Sequence, residues 1–113
     1  MTVSTHILDS VAGQPATGVP AALTRRDDAG RWHQVEDGGT DADGRLRFAA
    51  TTEPGAYRLT FDTGRYFATR GLTGFYPEVV ITFSTVPLDD SADGHFHVPL
   101  LLSPYSYSSY RGS

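Results

Sequence analysis

His95-Phe96-His97-Val98-Pro99-Leu100-Leu101-Leu102-Ser103-Pro104-Tyr105-Ser106-Tyr107-Ser108-Ser109-Tyr110-Arg111-Gly112-Ser113 closes the chain with two histidines, three tyrosines, an arginine and a dense apolar run. A terminal segment on which nothing depends is usually small and polar. Read with the two-residue period of a strand, His95, His97 and Pro99 share one face, and Phe96, Val98, Leu100 and Leu102 share the other. The apolar face can anchor in a core and leave two imidazoles side by side on the opposite surface. Same-face neighbours on a strand lie roughly 6.6 Å apart, so both could touch one small ligand.

Working towards the N-terminus, the rest of the chain repeats the strand signal. Glu78–Phe83 carries Val79, Ile81 and Phe83 on one face, and Tyr57, Leu59 and Phe61 follow the same period. Leu46 and Phe48 mark a strand that begins at Arg45, delivered by a polar loop over Asp37–Gly44. Strands are also expected around Trp32, from Arg31 to Glu36, over Val19, Ala21 and Leu23, and from Thr5 to Leu8. Turns are expected at Gly13-Gln14-Pro15, at Asp27-Asp28-Ala29-Gly30 and at Glu53-Pro54-Gly55. Ser84–Gly94 reads as a polar loop with Pro87 and three aspartates, and Tyr105 to about Arg111 as the last strand. The pattern breaks only after Asp62. There Asp62 or Thr63 can cap a short helix over about residues 63–70, with Gly71 ending it. About eight short strands bounded by turns predict an all-β sandwich of two antiparallel sheets.

Composition narrows the function. The 113 residues suit one domain, 1–113, with its own core. There is no cysteine, so neither a disulfide framework nor a thiolate metal site can form, which suits a reducing cytosol. The start shows no basic segment followed by an apolar stretch, and no apolar run reaches the roughly 20 residues of a membrane helix. A formal net charge of −4 without a basic patch argues against nucleic acid as a partner. No internal repeat, G-x-S-x-G elbow, P-loop or dinucleotide fingerprint is present.

The polar residues leave several roles open. An H-x-H pair on a strand can chelate zinc or copper, but a catalytic site usually needs a third ligand. His6 or an acid could supply it, and no spacing fixes which. His95 reads either as part of a site with His97 or as a solvent-facing or hydrogen-bonded ring, a bland reading that fits His97 less well. A histidine can serve as a general base near neutral pH without much tuning. Arg45 follows Asp43-Gly44 at the mouth of a strand, where its planar fork suits the edge of a flat heterocycle. His33 and the acids of residues 37–43 read as ordinary surface groups.

Four motifs in order resemble the transthyretin-related hydroxyisourate hydrolases, almost end to end. They are Ser4-Thr5-His6-Ile7-Leu8-Asp9 with Gly13-Gln14-Pro15-Ala16, then Thr40-Asp41-Ala42-Asp43-Gly44-Arg45, then Phe75-Tyr76-Pro77-Glu78-Val79. The fourth is His95-Phe96-His97-Val98-Pro99-Leu100-Leu101 with Tyr110-Arg111-Gly112-Ser113. The resemblance implies a transthyretin-type sandwich of two four-stranded sheets with one short helix, assembled as a homotetramer, a dimer of dimers. It implies water opening the six-membered ring of 5-hydroxyisourate to give 2-oxo-4-hydroxy-4-carboxy-5-ureidoimidazoline in urate catabolism, in the cytoplasm, without metal or cofactor. It also implies a catalytic set of His6, Arg45, His97 and Ser113. His6, Arg45, Tyr110, Arg111, Gly112 and Ser113 would bind the substrate. In the roles that follow, His97 activates or positions the water, His6 assists proton movement and Arg45 clamps the ring. The terminal tetrapeptide separates these enzymes from the hormone-carrying transthyretins. A non-enzymatic carrier holding a flat aromatic ligand in the tetramer channel is the alternative. Two positions depart from the family pattern: Ser106, where glycine is common, would shift the last strand slightly, and Asp41, where asparagine is usual, adds negative charge near Arg45.

Overall fold

The computed structural model describes residues 1–50, 53–86 and 94–113. Its elements are β1 (Thr2–Asp9), β2 (Gln14–Pro15), β3 (Pro20–Arg26), β4 (Trp32–Gly39), β5 (Arg45–Arg47), β6 (Ala56–Phe61), α1 (Thr63–Thr69), β7 (Val79–Ser84), β8 (His95–Leu102) and β9 (Tyr107–Ser109). One sheet has the order β4-β3-β6-β7, with antiparallel pairs throughout. The other runs β2-β1-β8-β9, with β5 also paired to β1. This is the expected sandwich of two sheets with one short helix. The second sheet differs in detail, having a fifth strand and a parallel pair, β1 with β8.

That parallel pair joins the two ends of the chain. Parallel neighbours need a long crossover, and here the crossover includes the whole four-stranded sheet. Register is set by the inward side chains. Val3 and Ile7 of β1 and Phe96, Val98, Leu100 and Leu102 of β8 are buried against Val19, Leu23, Leu59 and Phe61. Each such side chain contributes about 1.5–3 kcal/mol, against about 1 kcal/mol for one hydrogen bond. The apolar face therefore decides the pairing, and the outward residues take the positions it leaves them.

The helix is held at both ends by polar contacts. Asp62 caps it, accepting from the Arg65 N–H, and Gly71 follows its C-terminal end with φ of 70°. Tyr66 donates to buried Asp9 of β1 at 2.8 Å, and Asp9 also accepts from the Ala12 and Val11 N–H groups. Burial raises the Asp9 pKa, but these hydrogen bonds outweigh it and leave the carboxyl below its ordinary value. The Tyr66 hydroxyl is pushed up to about 12 by burial and by Asp9.

Four boundaries differ from expectation. β1 starts at Thr2 rather than Thr5, because Val3 fills a core position beside Phe96. Gln14–Pro15, read as part of a turn, adds two residues to the sheet edge. β4 runs on to Gly39, since Gly38 and Gly39 pair with Ala21 and Pro20, so the loop before Arg45 is shorter than expected. The last strand is three residues long, and the chain then touches β8 again through a single bridge from Gly112 to His97. The expected polar loop at 84–94 falls largely outside the described residues, Pro87 and its aspartates included. No helix among the described residues is long and apolar enough to cross a membrane.

Candidate active site

The outward face of β1, β5 and β8 gathers the polar residues that the sequence scatters. In β1, Thr2, Ser4 and His6 alternate with buried Val3, Thr5 and Ile7. His6 lies directly opposite Arg45 of β5 and directly opposite Pro99 of β8, while Ser4 lies opposite both Arg47 and His97. His6, Arg45 and His97 are thus on adjacent strands of one face. The outward residues of the three strands include no carboxylate, so this face is cationic although the chain's net charge is −4. It suits an anionic, flat ligand.

One turn places both Arg45 and His6. Asp41 Oδ1 accepts from the N–H groups of both Asp43 and Arg45, each at 2.9 Å, folding the loop into a tight turn. Gly44 has φ of 74°, and a Cβ there would lie 2.6 Å from the Ile7 carbonyl oxygen, so the turn can pack on β1 only as glycine. The Asp43 carbonyl in turn holds the His6 ring, at 2.9 Å from Nε2. A carbonyl can only accept, so Nε2 carries the hydrogen and a neutral His6 has its lone pair on Nδ1. The Arg45 guanidinium makes no ion pair among the described residues and remains available to a ligand.

His97 is half-buried, with Nδ1 at 2.8 Å from Ser4 Oγ. Burial lowers its pKa, and the charges of His95, His6 and Arg45 lower it further, so the ring stays neutral below the ordinary histidine range. That is the form a general base needs. Its Nε2 makes no hydrogen bond among the described residues. Both ring nitrogens of His95 are hydrogen-bonded: Nδ1 lies 2.6 Å from Thr2 Oγ1 and Nε2 lies 2.9 Å from Ser4 Oγ. Among the described residues no group of three or more His, Asp or Glu is arranged to hold a metal ion. His33 pairs with Asp27 on the other sheet at 2.6 Å, in keeping with its reading as a surface group.

The last residues pass over His97. The Gly112 N–H donates to the His97 carbonyl at 2.9 Å, and a Cβ at Gly112 would lie 2.5 Å from His97 Cδ2. Arg111 stacks over the Phe96 ring at 5.1 Å. Tyr110, Arg111, His97, Phe83 and Ile81 line a cleft of about 290 Å³ beside β8, close to the lower bound of small-ligand sites. Ser113 is exposed beyond them. The structure therefore brings His6, Arg45 and His97 together and sets Tyr110, Arg111 and Gly112 next to His97, with Ser113 at the end of that run. A larger cleft, about 430 Å³, lies on the other sheet. It is lined by Asp37, Asp62 and Glu78 without a histidine or an arginine, and it offers no cationic clamp for an anion. Ser4, Thr2 and Arg47 were not singled out from sequence, although extending the β1 alternation back from His6 would have placed the first two on this face.

Residues 3–112 match the HIUase/Transthyretin family model. The chain belongs to that family. Family members with solved structures share its fold closely. A 5-hydroxyisourate hydrolase from Klebsiella pneumoniae superposes with a TM-score of 0.83 at 38% identity, over 99% of this chain and 93% of that one. A transthyretin from Sparus aurata superposes with a TM-score of 0.88 at 33% identity, over 97% of this chain and 95% of that one. The HIUase/Transthyretin fold alone thus does not choose between hydrolase and transthyretin. In sequence, a 5-hydroxyisourate hydrolase from Salmonella dublin is 44% identical over 114 residues, which is 98% of this chain and 80% of that protein.

Proposed function

We propose that this chain is a 5-hydroxyisourate hydrolase, opening the six-membered ring of its substrate by addition of water. The observation that carries the reading is the convergence of His6, Arg45 and His97 on one outward, carboxylate-free face. The identity with hydrolases supports it further. Ring opening needs a base for water and cationic donors where the oxyanion develops. His97, neutral and with Nε2 open, takes the proton of the attacking water. As the C–N bond breaks, the proton that His97 took is delivered to the leaving nitrogen through His6, whose lone pair on Nδ1 receives it. The Asp43 carbonyl stabilises the imidazolium formed on the way. Arg45 holds the flat ring and offsets the developing charge. Tyr110, Arg111, Gly112 and Ser113 close the pocket over His97.

Residues 1–113 act in this reading as one domain, with no cofactor. We further propose assembly as a homotetramer in the cytoplasm. Leu8 and Leu101 are direct neighbours on the outward face of the β1–β8 pair and stay 36% and 38% exposed in the single chain. An apolar pair at the rim of a polar site fits a subunit interface. The carrier reading draws on the Sparus aurata fold match, but a carrier has no need of the two polarised histidines and the clamp.

The test is the ultraviolet decay of hydroxyisourate freshly made from urate, with and without the protein, since the substrate also decays unaided. Accelerated decay that persists after chelator treatment supports the hydrolase. A trace overlying the protein-free control would overturn it in favour of the carrier.

A further inference from the structure

Thr2, His95, Ser4 and His97 form one hydrogen-bonded chain across the β1–β8 pair. Thr2 Oγ1 is 2.6 Å from His95 Nδ1, His95 Nε2 is 2.9 Å from Ser4 Oγ, and Ser4 Oγ is 2.8 Å from His97 Nδ1. The parallel register fixes these neighbours, setting Thr2 opposite His95 and Ser4 opposite His97. A hydroxyl has a single proton, so Ser4 can donate to one imidazole only and must accept from the other. With both rings neutral, the chain has two consistent directions. In one, His97 Nδ1–H donates to Ser4, Ser4 donates to His95 Nε2, and His95 Nδ1–H donates to Thr2. In the other every hydrogen is reversed, and His97 carries its proton on Nε2.

We propose that Ser4 is a positioning residue that holds His97 in the first of these states, with His95 as the acceptor that keeps the Ser4 proton turned away. The proposal deepens the hydrolase reading and rests on it. One observation and one chemical argument favour this direction. The only His97 nitrogen without a hydrogen bond among the described residues is Nε2, and the neighbouring Cδ2 edge lies against Gly112, where the tail closes over the ring. A base acting there needs its lone pair on Nε2. Secondly, when Nε2 takes the proton of water, Nδ1–H already donates to Ser4 and no hydroxyl has to turn. In the reverse direction Nε2 carries a proton, so the ring cannot take one from water without first exchanging its tautomer. Fixing donors before the reaction avoids that reorganisation. His95, which does not itself need to touch substrate, thereby gains a role through Ser4.

The test combines imidazole ¹⁵N–¹H correlation spectra with steady-state kinetics of wild type, Ser4→Ala and Ser4→Thr, at a pH where His97 is neutral. We expect wild-type His97 to be protonated at Nδ1 and bare at Nε2. Ser4→Ala should move it towards the Nε2–H form and lower kcat about tenfold with KM within about twofold, the signature of a lost transition-state interaction. Ser4→Thr keeps the hydroxyl and restores both readouts. Wild-type His97 protonated at Nε2, or a Ser4→Ala tautomer and kcat equal to wild type, would overturn the proposal. A wild type inactive on hydroxyisourate would overturn the hydrolase reading instead, and the tautomer in the same sample would still decide the direction of the chain.

Discussion

At the scale of single residues, His97 carries the most consequence. Burial and the charges of His95, His6 and Arg45 keep it neutral below its ordinary range. An unfolded chain binds that proton near pH 6.5. Between the lowered folded value and the ordinary one, the unfolded state therefore holds more protons, and stability rises with pH across that window. We expect an NMR titration of the His97 ring to show a midpoint below about 6.5, moving upward in His95→Asn as one of the lowering charges is removed. A midpoint at or above the ordinary value would contradict the described surroundings of the ring. His97 was legible in sequence because its neighbours alternate with apolar residues that must be buried. Ser4 was not, since a serine on a strand announces no partner, and its partners lie 91 and 93 positions away.

At the scale of elements, the loop from β4 to β5 and the turn from β8 to β9 show how the two departures from the family pattern fit the fold. Asp41 acts through one oxygen, Oδ1, that accepts two backbone N–H groups, and an asparagine carries the same acceptor. Asp41→Asn should keep activity within about twofold, whereas Asp41→Ala should cost about 1 kcal/mol of stability, as for other lost side-chain caps, and lower kcat by releasing Arg45. Steady-state rates and denaturant midpoints of the two variants check this, and equal losses in both would show that charge matters rather than the acceptor. Ser106 lies in a turn closed by its hydrogen bonds with Ser103, and among the described residues none other than glycine has positive φ, so glycine is not required there. Strands with strict alternation, such as β6 and β8, were legible to within a residue. β2 and the end of β4 were not, because Gln14–Pro15 and Gly38–Gly39 carry turn-type residues and pair only through tertiary context.

At the scale of the whole molecule, the site exists because the first and eighth strands are parallel neighbours. Sequence patterns foretold strands and two layers, but the pairing that unites His6 with His97 depends on long-range packing that no local period reveals. The same pair presents Leu8 and Leu101 outward. Replacing both with aspartate should shift sedimentation from a tetramer to a smaller species, since burying two unpaired carboxylates at an interface is unfavourable. An unchanged species would place the subunit contact elsewhere. The central claim, that the outward face of β1, β5 and β8 hydrolyses hydroxyisourate, is tested most directly by the steady-state rate of His97→Ala against wild type, with the fold checked by circular dichroism. The account predicts a folded protein whose kcat falls about 10²-fold or more, the usual contribution of a general base. A folded His97→Ala enzyme that turns over hydroxyisourate at close to the wild-type rate would contradict it.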